Sequence, residues 1–116
     1  MPERPHQGDI VLIPVPFTDL TSQRRRPVIV VSNDSYNRNT ADMLVVAMTS
    51  NPQPVEYSFT VTSADLAEGS LNHPGKVRVD RVYTLAQSIA VKRFGRVSDA
   101  TLDRVRRLLA ELTDRR

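Results

Sequence analysis

Short apolar and β-branched runs recur along the chain as far as Tyr83, separated by segments rich in proline, glycine and asparagine. This spacing predicts a meandering antiparallel sheet or a small barrel. Two runs, Val28–Val31 and Leu44–Ala47, are apolar throughout instead of alternating, so we expect both faces of these strands to be buried. The predicted strands are Asp9–Val15, Val28–Ser32, Met43–Met48, Tyr57–Thr62 and Val77–Tyr83.

The hydrophobic period changes near the end of the chain, where leucines and a valine recur at helical spacing. Ser98 stands where it can cap this helix, and Val97 and Leu102 occupy the two positions of a hydrophobic staple, so the helix is expected to begin near Asp99. The charged residues of the opposite face form four-residue pairs, which explain its arginines structurally. The apolar face consists of Leu102, Val105, Leu108, Leu109 and Leu112, and the pairs are Asp103–Arg107 and Arg107–Glu111.

Length and composition indicate one ordinary globular domain covering residues 1–116, mainly β with a C-terminal helix. Apolar residues make up 40% of the chain and charged residues 25%. Because cysteine is absent, the chain has no disulfide framework and no thiolate metal site. The polar N-terminal segment has no apolar run typical of a signal peptide, and no stretch is long enough to span a bilayer. We therefore expect a cytoplasmic protein with no membrane partner.

The basic residues are unusual in kind, because fourteen arginines accompany only two lysines, Lys76 and Lys92. A guanidinium grips phosphate with a planar fork of donors, so this bias favours a phosphate-rich partner. A high-GC genome that prefers arginine codons would produce the same composition. The formal net charge is only +3, so the positions of the arginines must decide between the two explanations.

The sequence contains no pattern typical of metal or cofactor chemistry. His6 and His73 lie far apart in predicted loops, without the paired spacing of a zinc site. The carboxylates are scattered, and neither a glycine-rich phosphate loop nor a G-x-S-x-G motif occurs. An enzyme of this sequence would need no metal or cofactor and would act through arginines, hydroxyls and isolated carboxylates.

A loop rich in arginine leads into the second predicted strand. It ends in Arg24-Arg25-Arg26-Pro27, immediately before Val28. The proline restricts the residue before it to extended backbone, so the side chain of Arg26 should be held at a fixed angle beside the sheet. A solubilising loop tip would look the same in sequence.

Two further stretches carry polar side chains near strand residues. Thr49 and Ser50 follow an apolar run, although polar residues also end many strands without further purpose. Arg78 and Asp80 are two residues apart in a predicted strand and so share a face, an arrangement that a surface ion pair explains equally well. Taken singly, neither stretch indicates a function.

Taken together and in order, these stretches resemble the MazF/PemK toxins over about Gly8–Leu112. The most specific element is the Arg26-Pro27 strand start combined with the Thr49-Ser50 strand end. The resemblance is carried by Gly8-Asp9, by Arg26-Pro27 before Val28–Val31, by Ser32–Asp34, by Ala47–Ser50, by Val77–Thr84 and by the C-terminal helix.

The resemblance implies an SH3-like barrel, usually homodimeric, that cleaves single-stranded RNA at short sequences without metal and is inhibited by a cognate antitoxin. It places the family's catalytic arginine at Arg26 and its catalytic threonine at Thr49. The arginine and aspartate of the PemK branch fall on Arg78 and Asp80. Several members carry a histidine in the first long loop, but this chain has none there, so the general acid stays open. The candidate RNA-binding residues are Phe17, Ser22, Gln23, Arg24, Arg25 and Ser50.

Metal-free RNA cleavage is most easily achieved when the substrate's own 2′-hydroxyl attacks the adjacent phosphate. Asp80 is the carboxylate that the resemblance places in the site and is our candidate base, with Arg26 stabilising the charge on the phosphoryl oxygens. Thr49 would position the phosphate, and Arg78 would protonate or polarise the leaving oxygen. Two alternatives are a gyrase-binding toxin of the CcdB type and a non-catalytic SH3-like RNA-binding module. The cleavage sequence depends on loop shapes that strand patterns do not define.

Overall fold

The computed structural model describes residues 3–15 and 24–116. The elements are β1 (Asp9–Pro14), β2 (Arg25–Val30), α1 (Asp34–Asn39), β3 (Asp42–Thr49), β4 (Ser58–Val61), β5 (Leu66–Glu68), β6 (Gly75–Ala86), β7 (Lys92–Val97) and α2 (Asp99–Leu112). Two short 3₁₀ turns, at residues 63–65 and 87–89, connect strands. The strands form one antiparallel sheet in the order β4-β6-β3-β2-β1-β7-β5, curled into a half-barrel.

The predicted fold class is confirmed: the chain is mainly β with a C-terminal helix. The five predicted strands correspond to β1, β2, β3, β4 and β6. The helix begins at Asp99 as predicted, and the Ser98 hydroxyl accepts a hydrogen bond from the Thr101 N–H. Asp103 pairs with Arg106, three residues along, instead of with the predicted Arg107.

The central strands are buried on both faces, as their continuous apolar runs predicted. On one face, Ile29 and Val46 pack in the same cluster as Val105 of α2. On the other face, Val28 and Val45 belong to a second cluster, which the end of β6 and residues 87–90 cover. Burying each of these side chains stabilises the fold by about 1.5–3 kcal/mol.

Three elements were not predicted from the sequence. Helix α1 lies in a segment expected to be a loop, and β5 and β7 were not recognised as strands. Strand β7 pairs with β1 and β5 although it contains Gly95, where an added Cβ would lie 2.5 Å from the Glu68 carbonyl oxygen. The glycine allows the two backbones to approach, so the strand depends on pairing and not on an apolar pattern.

Strand β6 is interrupted by a bulge that separates its two halves. Arg78 pairs with Ala47 and Val82 pairs with Val46, so residues 79–81 have no partners in β3. Bulges redirect side chains and increase local twist. Here the bulge buries Val79 and leaves the neighbouring Asp80 exposed.

A charged cluster joins β1 to the β5–β7 edge of the sheet, and we call it the edge cluster. Asp9 is only 1% exposed. Its carboxylate accepts hydrogen bonds from the His6 N–H, at 2.9 Å, and from Arg93 Nε, at 3.0 Å. Arg93 also donates to Glu68 at 2.6 Å, and Arg96 lies 3.6 Å from the same carboxylate. Gly8 precedes Asp9 with φ of +95°, a conformation that glycine adopts without strain. The Gly8-Asp9 motif is therefore structural.

The Ser32–Asp34 motif also has a structural role, at the start of α1. The Asn33 side chain caps the helix by accepting from the Tyr36 N–H at 2.8 Å. Asn37 is fully buried, accepts from the Ser32 hydroxyl at 2.6 Å and donates to the Pro5 carbonyl at 3.1 Å. In the part of the chain that the structure describes, no helix is long and apolar enough to cross a membrane.

Candidate functional site

A groove of about 370 Å³ opens on one face of the sheet. Side chains from β1, β2, β3 and β6 line it, together with the segment that follows β3. It brings together three of the four predicted catalytic residues, Arg26, Thr49 and Arg78. Its floor is apolar, with Ile13, Val28 and Ala47, and its other polar lining residues include Asn51, Gln53, Lys76 and Arg81.

The strand register explains why Arg26 and Thr49 meet. Val28 pairs with Ala47, so continuing the antiparallel register by two residues sets Arg26 across from Thr49. The β2–β3 ladder ends at Val28, immediately after Pro27, which has no N–H to donate to a ladder. The groove thus opens where the two strands stop pairing, and Arg26 is held in extended backbone within β2 as predicted.

Thr49 ends β3 and also begins the groove wall. Its hydroxyl oxygen accepts a hydrogen bond from the Asn51 N–H at 3.2 Å. The Asn51 side chain in turn accepts from the Gln53 N–H at 3.1 Å, so the segment after β3 is held by successive side-chain bonds. A hydroxyl that accepts one bond keeps its own O–H as a donor, which suits contact with an anionic oxygen.

Arg78 and Asp80 form a bidentate ion pair beside the bulge of β6. Arg78 Nε donates to Asp80 Oδ1 at 2.8 Å, and Nη2 donates to Oδ2 at 2.7 Å. The hydrogen bonds from Arg78 lower the pKa of the Asp80 carboxyl and raise the pKa of the Arg78 guanidinium. Arg78 lines the groove, whereas Asp80 does not line it but is exposed beside it as the partner of Arg78. The guanidinium has five N–H donors, so three remain for another acceptor.

Lys76 and Arg81 line the groove but were not predicted as site residues. Lys76 pairs with Thr49 across β3 and β6, and directly opposed residues share a face of the sheet. Lys76 is two residues before Arg78 and therefore lies on the same face of the strand. This spacing could have identified Lys76 as a site residue, but the predicted strand began one residue later, at Val77. Arg81 lies in the bulge, which no strand pattern indicated.

None of the predicted RNA-binding residues that the structure describes lines the groove, and three others lie outside the described residues. Arg24 and Arg25 are exposed at the start of β2, and the Arg25 side chain donates to the Arg24 carbonyl at 3.3 Å. Ser50 is exposed and lies between two lining residues without lining the groove itself. Phe17, Ser22 and Gln23 fall outside the described ranges.

The groove is strongly cationic. Arg26, Lys76, Arg78 and Arg81 contribute four positive charges to its lining. Within residues 3–15 and 24–116, no three histidine or carboxylate side chains come together as metal ligands. Guanidinium and ammonium groups over an apolar floor match the chemistry of a phosphate-bearing ligand.

The fold and the groove define a class of protein, a small antiparallel half-barrel with a cationic cleft. Comparison with protein families identifies the family within this class. The model of PemK-like, MazF-like toxins of type II toxin–antitoxin systems matches residues 6–113. The chain therefore belongs to this toxin family. A sequence search of curated proteins found no significant match.

Solved structures agree with this assignment. An endoribonuclease from a mycobacterial species is 25% identical over 94% of this chain and 90% of its own, with a TM-score of 0.74. A mycobacterial endoribonuclease in complex with its cognate antitoxin is 25% identical over 92% of each chain, with a TM-score of 0.73. A chain of the MazE-MazF complex (Form-I) from Deinococcus radiodurans is 26% identical over 95% of this chain and 96% of its own, with a TM-score of 0.74.

Proposed function

We propose that this toxin is a sequence-specific endoribonuclease that cuts single-stranded RNA in the cytoplasm without a metal ion. The observation that carries the proposal is the groove in which Arg26, Thr49 and Arg78 converge, in a chain of the PemK/MazF family. Structural neighbours at 25% identity that are themselves endoribonucleases support RNA as the substrate. The products would be a 2′,3′-cyclic phosphate and a 5′-hydroxyl.

The first part of the mechanism is binding and attack at the scissile phosphate. The guanidinium of Arg26 would bind the non-bridging oxygens and stabilise the charge that develops on them. The Thr49 hydroxyl would donate to the same phosphate and fix its orientation. The substrate's 2′-oxygen then attacks phosphorus, so the nucleophile is part of the RNA and the protein forms no covalent intermediate.

The second part is proton transfer, which we assign to Asp80 as base. Its lowered pKa keeps it ionised at neutral pH, and a carboxylate with two accepted bonds retains lone pairs for the 2′-hydroxyl proton. The raised pKa of Arg78 makes it a weak acid and a permanent cation. Arg78 would accordingly polarise the departing 5′-oxygen, which is protonated by solvent as the phosphorus–oxygen bond breaks.

The direct test is incubation of the purified protein with RNA in EDTA. We expect discrete fragments with cyclic phosphate and 5′-hydroxyl ends, and sequencing of those 5′ ends would define the cleavage sequence. Tight RNA binding without fragments would instead indicate a non-catalytic RNA-binding module. Absence of both, with binding to gyrase, would indicate a CcdB-like toxin.

The nucleophile has its own test. An RNA with a single 2′-deoxy nucleotide on the 5′ side of the cut should bind normally and resist cleavage. Moving the deoxy nucleotide two positions away provides the matched control and should restore cutting. Cleavage of the first substrate at the usual bond would exclude attack by the 2′-hydroxyl.

We further propose that a cognate antitoxin inhibits the enzyme by laying an acidic segment along the groove. The four cations of the groove favour an anionic partner that competes with RNA. Related toxins have been solved in complex with antitoxins, which supports such a partner. In the inhibited complex, trypsin should cleave more slowly after Arg24, which is exposed two residues before the groove residue Arg26, than in the free toxin.

We also propose a homodimer. A small half-barrel has limited area with which to shield its apolar strands, and Val82 and Val91 are exposed in the single chain. Light scattering at micromolar concentration should give twice the chain mass. A monomeric mass would contradict this part of the proposal.

A further inference from the structure

Lys76 is the most deeply buried cation that lines the groove. Only 9% of the residue is exposed, and its ammonium donates to the carbonyl oxygens of Pro52, at 3.1 Å, and Gln53, at 2.5 Å. These two bonds attach the segment after β3 to the start of β6. An ammonium has three donors, so one remains for a third acceptor.

Among the described residues, no carboxylate balances the charge of Lys76. Within residues 3–15 and 24–116, no carboxylate lies within ion-pairing distance of its ammonium. The two carbonyls satisfy hydrogen bonds but contribute only partial charges. Buried charges are costly unless they are paired, so a buried cation on the wall of an open groove indicates that an anionic ligand completes the pairing.

The position of Lys76 indicates which anion this is. Thr49 pairs directly with Lys76, and Arg78 lies two residues further along β6, so the Cα atoms of Lys76 and Arg78 are about 7 Å apart at the rise of a β-strand. That separation resembles the distance between successive phosphates of an extended RNA strand. A backbone whose scissile phosphate contacts Arg26, Thr49 and Arg78 would therefore bring a neighbouring phosphate to Lys76.

We propose that Lys76 forms a second phosphate subsite, which binds one of the two RNA phosphates flanking the scissile phosphate. The inference rests on the proposed function, because it takes single-stranded RNA as the ligand of the groove. It adds to that function a contact that holds the backbone in register while contributing no group to bond breaking. It also gives the Pro52–Gln53 segment a second role, as the wall that holds the ammonium in position.

The test compares lysine variants by RNA binding. The RNA carries a 2′-deoxy nucleotide at the cut site so that it stays intact, and its Kd is measured over a range of salt concentrations. Lys76→Met keeps the apolar stem, and Lys76→Gln also keeps an N–H donor for the loop carbonyls. Lys92→Met is the matched control, because Lys92 is the only other lysine, is exposed on β7 and does not line the groove.

We expect both Lys76 variants to bind about tenfold more weakly, as for the loss of one charged hydrogen bond. The slope of log K against log salt should fall by about 0.7, the value for one phosphate contact on a single strand. Lys92→Met should keep the wild-type affinity and slope. Wild-type slopes for both Lys76 variants would overturn the proposal and leave Lys76 as a structural anchor of the loop.

A neutral-phosphate scan then identifies the subsite and covers the case in which a Lys76 variant fails to fold. Each phosphate in turn is replaced by an uncharged methylphosphonate. Wild type should lose affinity at the scissile phosphate and at one flanking phosphate, and a folded Lys76→Met protein should lose sensitivity at the flanking position only. If neither flanking phosphate matters to wild type, the subsite does not exist.

The two proposals can fail separately. If wild type cuts RNA in EDTA and the scan shows no flanking contact, the subsite is wrong and the ribonuclease assignment stands. If wild type cuts nothing but the scan finds a phosphate whose contribution to binding is lost in Lys76→Met, Lys76 binds an RNA phosphate and the cleavage activity is wrong.

Discussion

The groove and the edge cluster contain the same kinds of charged side chain but use them differently. In the edge cluster, Arg93 binds two carboxylates, Asp9 and Glu68, and Asp9 is buried by this pairing. In the groove, only Arg78 has a carboxylate partner, Asp80, among the ion pairs of the described residues. The edge cluster is electrostatically closed, whereas the groove has an excess of positive charge.

This difference separates structural from functional arginines better than their number does. A cation whose hydrogen bonds end on nearby carboxylates holds strands together and has little affinity left for a ligand. A cation with unused donors at an open surface attracts anions. We therefore expect substitutions in the groove to reduce RNA cleavage and substitutions in the edge cluster to reduce stability.

The largest expected effect is that of Arg26→Lys. The substitution keeps the charge but loses the planar bidentate grip, so RNA cleavage should fall by about two orders of magnitude or more. Arg26 is exposed, so the free energy of unfolding should change little. Initial cleavage rates and urea unfolding curves measure the two quantities.

Arg96→Lys is the matched control in the edge cluster. Arg96 is exposed and lies 3.6 Å from Glu68, too far for a strong bond, so its replacement should leave cleavage within about twofold of wild type. Near-normal cleavage by Arg26→Lys would show that Arg26 is only part of a solubilising basic loop.

The second effect is on stability, from Asp9→Asn. The change leaves Arg93 without its buried partner and should lower the free energy of unfolding by about 3 kcal/mol. Cleavage per folded molecule should stay unchanged at temperatures where the variant is folded. Asp103→Asn removes an exposed pair and serves as the control, with an expected cost below about 0.5 kcal/mol. Equal stability losses for the two variants would contradict the distinction between the regions.

The smallest effect concerns the pH dependence of the Arg78–Asp80 ion pair. Because Arg78 lowers the pKa of Asp80, the pair stabilises the fold at pH above the ordinary aspartate pKa of about 3.9. This stabilisation is lost as the pH falls through the lower, folded-state pKa. Arg78→Gln should raise the pKa of Asp80 and move the acid limb of kcat/KM to higher pH.

Carboxyl NMR titration of Asp80 in wild type and Arg78→Gln would measure this shift directly. Asp34 is an internal reference, because a hydrogen bond from the Gln7 N–H and another from His6 lower its pKa independently of Arg78. A change at Asp34 alone, or no change at Asp80, would contradict the proposed coupling.

The candidate site was partly predictable from the sequence. Arg26 and Thr49 were identified by their place at strand ends, Arg78 by its place within a strand, and all three by the resemblance of the chain to a family. The structure brings them to one groove. The burial of Lys76 was missed because its hydrogen-bond acceptors, the Pro52 and Gln53 carbonyls, lie more than twenty residues away along the chain. Arg81 was missed because it lies in the bulge, where the alternation of side chains between the two faces of the strand is interrupted.

The sequence by itself determined the strands of the core and the C-terminal helix. Continuous apolar runs and the Ser98 cap are local properties, since they depend on neighbours within a few residues. Arg26-Pro27 is equally local, because the proline restricts the backbone of the residue before it wherever the strand lies.

Only the tertiary structure decided the remaining elements and the contents of the groove. Strand β7 and helix α1 have little pattern of their own and are held by partners distant in sequence, such as β1 for β7 and the Pro5 carbonyl for Asn37. The same holds for the charges. Folding brings two carboxylates within hydrogen-bond distance of Arg93, whereas Arg26 lines the groove without a carboxylate partner among the described residues. Coulomb energy depends on the distance between two charges in space, so it cannot be read from their positions along the chain.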